Sequence, residues 1–315
     1  MFRTGVTRFF PTVITAPEEH ICACLRNLAR VRAELQRHGL PEGAAMAAFH
    51  VEGPHISPED GPRGAHPLAS IRPPDIDEFE RWQEAAEGNI RLVTLSPEWD
   101  SAPQYISQLV RSGVVASIGH TKATHDQIRA AVDAGATVST HLGNAAHPTL
   151  HKTQNYLWDQ LAEDRLAACF ILDGIHLPPV FFKAASRAKG LEKSILVTDA
   201  VMPAMCAPGP YQIGPVKVEL REDNSVVIEG TQRLAGSALR MDVAVQNSIR
   251  FGGLSLSSAI ALATTNPARV GRIAGRQRGL VPGEKADLLR IAWDPASQSL
   301  FVRETIVAGT PVYNV

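Results

Sequence analysis

Seven short apolar stretches alternate with amphipathic stretches over the first 200 residues, and this alternation restricts the fold more than any other feature. Apolar runs of this kind are typical of strands that are covered on both faces, as in a parallel sheet. Successive strand starts lie about 20 to 45 residues apart, which leaves room for a helix between them. The pattern therefore favours a TIM-like (β/α) barrel. The predicted strands are residues 5–13, 44–53, 90–98, 114–120, 136–142, 166–174 and 194–200.

An open, Rossmann-like sheet is the main alternative to the barrel. Such a sheet usually carries a G-x-G-x-x-G motif after its first strand, and no such motif follows the first strand here. Amphipathic spacing predicts helices over residues 75–87, 124–135 and 177–190. We therefore predict an α/β barrel with seven strands, one fewer than a complete barrel.

The last third of the chain has a different pattern. Two β-rich runs separated by a polar turn predict a hairpin over residues 216–230. Residues 257–272 predict a helix that breaks near Pro267, and the tail has the pattern of short strands. We predict a barrel domain over residues 1–275, with a β-hairpin insertion near 211–230, and a small β-sandwich segment over residues 276–315.

Composition and charge exclude several classes of partner. The 31 Lys and Arg residues nearly balance the 32 Asp and Glu residues, and no block of like charge stands out. We therefore expect neither nucleic acid nor a membrane surface as a partner. The first ten residues lack the apolar core of a signal peptide, so the predicted location is cytoplasmic. The four cysteines are then expected to be reduced.

Five predicted strands end next to a side chain that can bind a metal or transfer a proton. These side chains are Glu52, His120, His141, His176 and Asp199. Active-site residues of (β/α) barrels lie at the carboxyl ends of the strands, so we expect the five to meet at one face.

The chemistry of this set predicts a metal-dependent hydrolase. Two imidazoles and one carboxylate, from Glu52, His120 and His141, suit one divalent metal ion, with zinc expected first and ferrous iron as the alternative. Asp199 is the expected general base, which takes a proton from the attacking water and passes it to the leaving amine. His176 is expected to bind the substrate or the developing oxyanion.

A series of short motifs resembles one enzyme family. The motifs are HVEGPHIS, GAHP, GHTKAT, HLGNAA, DGIH, LVTDA, LAGS and TNPAR, in this order along the chain. They are similar to the motifs of the N-acetylglucosamine-6-phosphate deacetylases of the amidohydrolase superfamily. The resemblance implies a metal-dependent-hydrolase type barrel with a small β-sandwich. It also implies removal of the acetyl group from an amino-sugar phosphate.

The resemblance also implies roles for residues of the substrate pocket. It makes Glu52, His120 and His141 the metal ligands and Asp199 the base. His66 and His176 are expected to line the pocket, and Asn144 and Ala145 to lie near the phosphate. The family is typically homodimeric, with a basic residue reaching into the partner's site, and Lys152 occupies that position in the sequence.

Three departures from the family pattern leave alternatives open. The chain starts at a stretch that resembles the second barrel strand, so we expect a truncated chain, a misassigned start codon or a genuinely short variant, with one metal rather than two. Gly143 and Ala146 replace larger residues, which is expected to widen or reshape the pocket. Lys152 lacks the bidentate fork of arginine. Two alternative functions follow. The protein could be an amidohydrolase that acts on another N-acyl amino sugar or on a cyclic amide, or it could be an inactive, truncated barrel with a binding role.

Overall fold

Seven parallel strands form the main sheet of the protein, whose computed structural model describes residues 1–315. Their spatial order, β1 to β7, is the same as their order in the chain, and every neighbouring pair is parallel. The sheet curls into an incomplete barrel because β1 and β7 do not pair with each other. The strands are Thr12–Ile14, Phe49–Glu52, Ile90–Leu95, Val115–Ile118, Val138–Ser139, Ala167–Ile171 and Ser194–Val197.

Ten helices accompany the strands, and most of them cover the outer face of the main sheet. Several begin at side chains that cap the first turn: Asp75 accepts hydrogen bonds at the start of the helix Ile76–Ala85, and Thr124 forms a capping box with Gln127 at the start of the helix His125–Asp133. Each helix is too short or too polar to cross a lipid bilayer. The helices are Glu18–Arg37, Pro41–Ala45, Ile76–Ala85, Ala102–Arg111, His125–Asp133, Tyr156–Ala162, Pro179–Lys189, Met241–Gly252, Leu256–Ala263 and Thr265–Val270 (α1 to α10).

Two antiparallel sheets follow the barrel strands. The predicted hairpin is present as β9 and β10, but it lies inside a four-stranded sheet of order β11-β10-β9-β8. The tail forms a three-stranded sheet of order β12-β13-β14. The division into domains at residue 275 stays a prediction. The strands are Gly209–Ile213, Val216–Leu220, Ser225–Ile228, Leu234–Ser237, Leu288–Asp294, Ser299–Val307 and Thr310–Asn314 (β8 to β14).

Two local predictions differ from the structure. The strand predicted over residues 5–13 is reduced to β1, which begins at Thr12, and only an isolated bridge joins Phe9 to Met46 before it. The helix predicted over residues 257–272 breaks at Thr264 rather than at Pro267. Pro267 lies in the first turn of α10, where its missing N–H group costs nothing because that turn has no intrahelical acceptor.

The main hydrophobic core lies between the curled sheet and helices α1, α3, α4 and α5. Trp82, Tyr105 and Phe49 are its largest fully buried side chains, and they pack with the apolar residues of β2 to β4. A second core joins β6 and β7 to helices α7, α8 and α9. Burial on both faces holds the strands in one register. Because all seven strands are parallel, their carboxyl ends meet at one end of the sheet.

Candidate active site

Three predicted ligands converge at the carboxyl ends of β2, β4 and β5. One carboxylate oxygen of Glu52 lies 3.0 Å from His141 Nε2 and 3.2 Å from His120 Nε2. The two imidazole nitrogens are 3.1 Å apart. The three residues are only 4%, 7% and 5% exposed in chain order, and one potential ligand atom from each lies within 4.8 Å of the others. We call this group the metal centre.

The backbone is strained at the ends of these strands. His120, His141 and Asp199 have φ angles of 50°, 27° and 50°, in the left-handed region that residues other than glycine rarely adopt. Each lies two residues after the last residue of its strand. Such strain persists where the surrounding structure enforces it, most often at functional sites. The turn thus aims each side chain back across the end of the sheet.

Hydrogen bonding prepares the metal centre for a cation. Pro62 O lies 2.9 Å from His120 Nδ1, and because a carbonyl only accepts, Nδ1 must carry the proton. When the ring is neutral, His120 Nε2 therefore has the lone pair that a cation needs, and a bound cation would replace the proton that Nε2 otherwise shares with Glu52. A carbonyl that orients a histidine in this way is typical of metal sites. Two imidazole nitrogens that face each other beside one carboxylate oxygen fit a shared divalent ion.

The charges of the centre are strongly coupled. Burial alone would raise the pKa of Glu52, but hydrogen bonds from His120 and His141 outweigh burial and hold it well below its ordinary value. Burial would likewise lower the pKa of His141, yet the hydrogen bond and charge of Glu52 raise it. The buried carboxylate therefore stays ionised and attracts positive charge.

Asp199 follows β7 and faces the same centre. Burial raises the pKa of its carboxyl group to about 6, and the negative charge of Glu52 adds to the effect. The Asp199 carbonyl accepts a hydrogen bond of 2.9 Å from the Ser237 amide of β11. The LAGS stretch therefore fixes the turn that carries Asp199, a contact that connects the four-stranded sheet to the end of the barrel.

His176 is held by a neighbouring acid. One oxygen of Asp173 accepts hydrogen bonds of 2.8 Å from the amides of Ile175 and His176. The other oxygen lies 2.5 Å from His176 Nδ1. Burial would raise the pKa of Asp173, but the hydrogen bond from His176 lowers it overall, so Nδ1 is the donor. Asp173 thus shapes the loop, as its place before a glycine suggests, and it also orients a predicted substrate contact.

His66 lies against the metal centre from the loop that follows β2. Its ring packs edge-on to the ring of His120, with the centroids 4.4 Å apart. Burial lowers the pKa of His66 to about 3, and the charge of His120 acts in the same direction, so the ring is neutral. Its Nδ1 lies 2.6 Å from Thr15 Oγ1, just after β1.

The outer side of the site is formed by residues 143–155, which we call the rim loop. Asn144 donates a hydrogen bond of 3.1 Å to the carbonyl of His141, and Ala145 has a φ of 47°. Lys152 is exposed, and its carbonyl accepts a hydrogen bond from the Trp158 ring. The structure therefore places Asn144 and Ala145 next to the metal centre and Lys152 on the surface.

Of the two expected effects of Gly143, the structure favours a reshaped pocket over a wider one. A Cβ atom at Gly143 would lie 2.8 Å from the side chain of Leu177 and 2.9 Å from that of Phe181. These two side chains, from the loop and helix that follow β6, already fill the space that a larger residue after His141–Leu142 would use. The absence of a side chain at Gly143 therefore leaves room for Leu177 and Phe181 and does not create extra space in the site.

A buried series of side-chain hydrogen bonds lies beneath the site, and the sequence did not predict it. His50 Nε2 lies 2.8 Å from Thr94 Oγ1, which lies 2.8 Å from Thr140 Oγ1, and this oxygen is 2.5 Å from Ser117 Oγ. A Cβ atom at Gly119 would meet both threonine side chains within 2.8 Å. The polar residues His50 and Glu52 at alternate positions of β2 were the one available signal. These hydrogen bonds connect the strands that carry the metal centre.

Comparison with known proteins identifies the family. No protein-family model matches the chain. The N-acetylglucosamine-6-phosphate deacetylases of Bacillus subtilis and Bos taurus are 34% and 35% identical to it over 290 and 321 residues. These alignments cover 92% and 99% of the chain and 72% and 74% of the relatives.

Solved structures agree with this result. The Mycobacterium smegmatis deacetylase in complex with N-acetyl-D-glucosamine 6-phosphate is 32% identical, with a TM-score of 0.87 over 99% of this chain and 79% of that one. The Thermotoga maritima enzyme is 26% identical, with a TM-score of 0.86 over 100% and 81%. The chain therefore belongs to the N-acetylglucosamine-6-phosphate deacetylase family of the amidohydrolase superfamily.

Proposed function

We propose that the protein hydrolyses N-acetylglucosamine 6-phosphate to glucosamine 6-phosphate and acetate. The observation that carries the proposal is the buried group of Glu52, His120 and His141 with Asp199 facing it, in a chain of this family. A carboxylate, two imidazoles and a separate acid with a raised pKa match the requirements of metal-assisted amide hydrolysis.

The cofactor in this proposal is one divalent metal ion. Two imidazoles and one carboxylate favour zinc, with ferrous iron as the alternative. An ion held there would supply Lewis acidity, which polarises the amide carbonyl and lowers the pKa of a water molecule toward about 7. Glu52, His120 and His141 would hold it.

Asp199 moves the proton in this mechanism. It takes a proton from the attacking water and passes it to the nitrogen of the leaving amine. A pKa of about 6 suits both steps, because the carboxylate is ionised near neutral pH yet is more basic than an exposed aspartate. Its position after β7 is fixed through Ser237, so the carboxylate needs little reorganisation during the reaction.

The remaining site residues would bind the substrate. His176, oriented by Asp173, is proposed to hydrogen-bond the sugar, and His66 to hydrogen-bond the oxygen of the reacting amide. Asn144 and Ala145, which follow His141 in the rim loop, are proposed to bind the phosphate of the same substrate. We also propose a homodimer in which the exposed Lys152 reaches the partner's phosphate site.

Acetate release by the zinc-loaded protein tests this function directly. We expect turnover of N-acetylglucosamine 6-phosphate and a kcat/KM that is much lower for N-acetylglucosamine, which lacks the phosphate. Equal turnover of the two sugars would contradict the proposed phosphate recognition. No turnover of either sugar by folded, metal-loaded protein would contradict the proposed function.

One relative favours a second candidate substrate. The N-acetylgalactosamine-6-phosphate deacetylase of Escherichia coli O157:H7 is 32% identical over 92% of this chain. Its named substrate differs from the first candidate only in the configuration at C4 of the sugar. Comparing kcat/KM for the two 6-phosphates separates the candidates, and the larger value identifies the preferred sugar.

A further inference from the structure

Thr15 is a buried hydroxyl residue at the end of β1 that lies outside the metal centre. It follows Ile14, which pairs in register with Glu52, so Thr15 lies beside Gly53 at the carboxyl end of the sheet. Thr15 is only 1% exposed. A Cβ atom at Gly53 would lie 2.2 Å from Thr15 Oγ1, so the glycine turn after Glu52 leaves the space that this hydroxyl occupies.

The Thr15 hydroxyl has two acceptors within reach, at very different distances. His66 Nδ1 is 2.6 Å away and the carbonyl oxygen of Glu52 is 3.5 Å away. The first distance is that of a short, strong hydrogen bond, whereas the second is at the outer limit. A hydroxyl has one proton to donate. The geometry therefore favours donation to His66 Nδ1 over donation to the Glu52 carbonyl.

This choice determines the tautomer of His66. A neutral imidazole carries one proton, and a nitrogen that accepts a hydrogen bond cannot carry it. If Thr15 donates to Nδ1, the proton of His66 lies on Nε2. The hydrogen bond to Thr15 is the one that the His66 ring makes within the protein, so Nε2–H remains available to a ligand beside His120.

We propose that Thr15 is a positioning residue that holds His66 as the Nε2–H tautomer, so that His66 donates a hydrogen bond to the amide oxygen of the substrate. The inference rests on the proposed function and names a further determinant of the same site. Negative charge develops on that oxygen as the carbonyl is attacked, so a donor fixed in advance stabilises the transition state more than the bound substrate. The opposite tautomer would present a lone pair and repel the developing charge.

Two substitutions at Thr15 separate the effect of its hydroxyl group from the effect of its branched shape. Thr15→Val keeps the branched shape and removes the hydroxyl, whereas Thr15→Ser keeps the hydroxyl. In the zinc-loaded full chain we expect Thr15→Val to lower kcat on N-acetylglucosamine 6-phosphate by roughly 10- to 100-fold, the effect typical of losing a group that orients a histidine. KM should change little, and Thr15→Ser should retain most of the activity.

A double-mutant cycle tests whether Thr15 acts through His66. In a His66→Ala background, Thr15→Val should cause no further loss of kcat, because the tautomer no longer matters. An equal loss in both backgrounds would overturn the proposal, as would a Thr15→Val variant with full activity.

The tautomer itself is measured by ¹⁵N NMR of histidine-labelled, zinc-loaded wild-type protein. We expect the His66 proton on Nε2 in the wild type and in Thr15→Ser. A proton on Nδ1 in the wild type would overturn the proposal even if Thr15→Val fails to fold. This measurement needs no turnover. An inactive wild type with the Nε2–H tautomer would therefore count against the proposed function and not against the role of Thr15.

Discussion

The metal centre and the rim loop lie at the same end of the barrel but differ in how their side chains are held. Glu52, His120 and His141 are almost fully buried and hydrogen-bonded to one another. Lys152 of the rim loop is exposed, and its neighbours bond mainly within the loop. The rigid part would perform the chemistry, and the exposed part would recognise the remote end of the substrate. The two parts are therefore expected to respond differently to substitution.

The sharpest test of the buried part is Asp199→Asn. Asparagine keeps the shape and tolerates the left-handed backbone at this position, but it cannot accept a proton. We expect kcat to fall by about 10²- to 10⁴-fold, the range typical of a lost general base, while metal content stays the same. Acetate release and metal analysis of the same preparation check both statements. Retained turnover would show that another group is the base.

Loss of a ligand should separate metal binding from folding. His120→Asn removes one of three ligands, so we expect metal content and activity to fall together by at least about tenfold. His125→Asn is the matched control, because His125 is exposed and pairs with Asp159 on the protein surface. Metal content is measured after dialysis, and circular dichroism checks folding. Full metal content in His120→Asn would contradict the proposed ligand set.

The rim loop should affect binding more than turnover. We expect Lys152→Met to raise KM for the 6-phosphate by roughly two- to fivefold and to leave kcat almost unchanged, because an exposed charge contributes at most about 1 kcal/mol to binding through water. KM for the unphosphorylated sugar should not change. Lys183→Met, an exposed lysine on α7, is the control. A fall in kcat without a change in KM would mean that Lys152 belongs with the catalytic groups.

The last prediction concerns the dependence of kcat on pH, and specifically the pH at which kcat falls on the acidic side. Asp199 must be ionised to act as a base, so kcat should rise with pH and level off above the pKa of this residue. The pKa is raised to about 6 by burial and by Glu52, whereas His141, His176 and His120 oppose the increase. A cation bound at the metal centre would lower the pKa of Asp199 below this value, so the midpoint of the acidic limb should lie at or below about pH 6. A midpoint above pH 7 would assign the limb to another group.

The sequence predicted the parts of the protein whose signals are local. Seven apolar strands and the side chains at their ends follow from patterns within ten residues, and all seven strands are present. The pairing of β8 with β9, and of β10 with β11, left no comparable signal. Phe181 fills the space beside Gly143 from a position 38 residues later in the chain, which no local pattern reveals. These strand pairings and the packing at Gly143 depend on contacts between segments that are distant in the sequence.

The left-handed backbone at His120, His141 and Asp199 has a consequence for protein engineering. Each non-glycine residue in this conformation costs the folded state roughly 1–2 kcal/mol, and glycine would remove most of that cost. A library selected for thermal stability alone would therefore favour the replacement of these side chains and enrich inactive proteins. Directed evolution of this chain should hold the three positions constant, or should alternate selection for stability with selection for turnover.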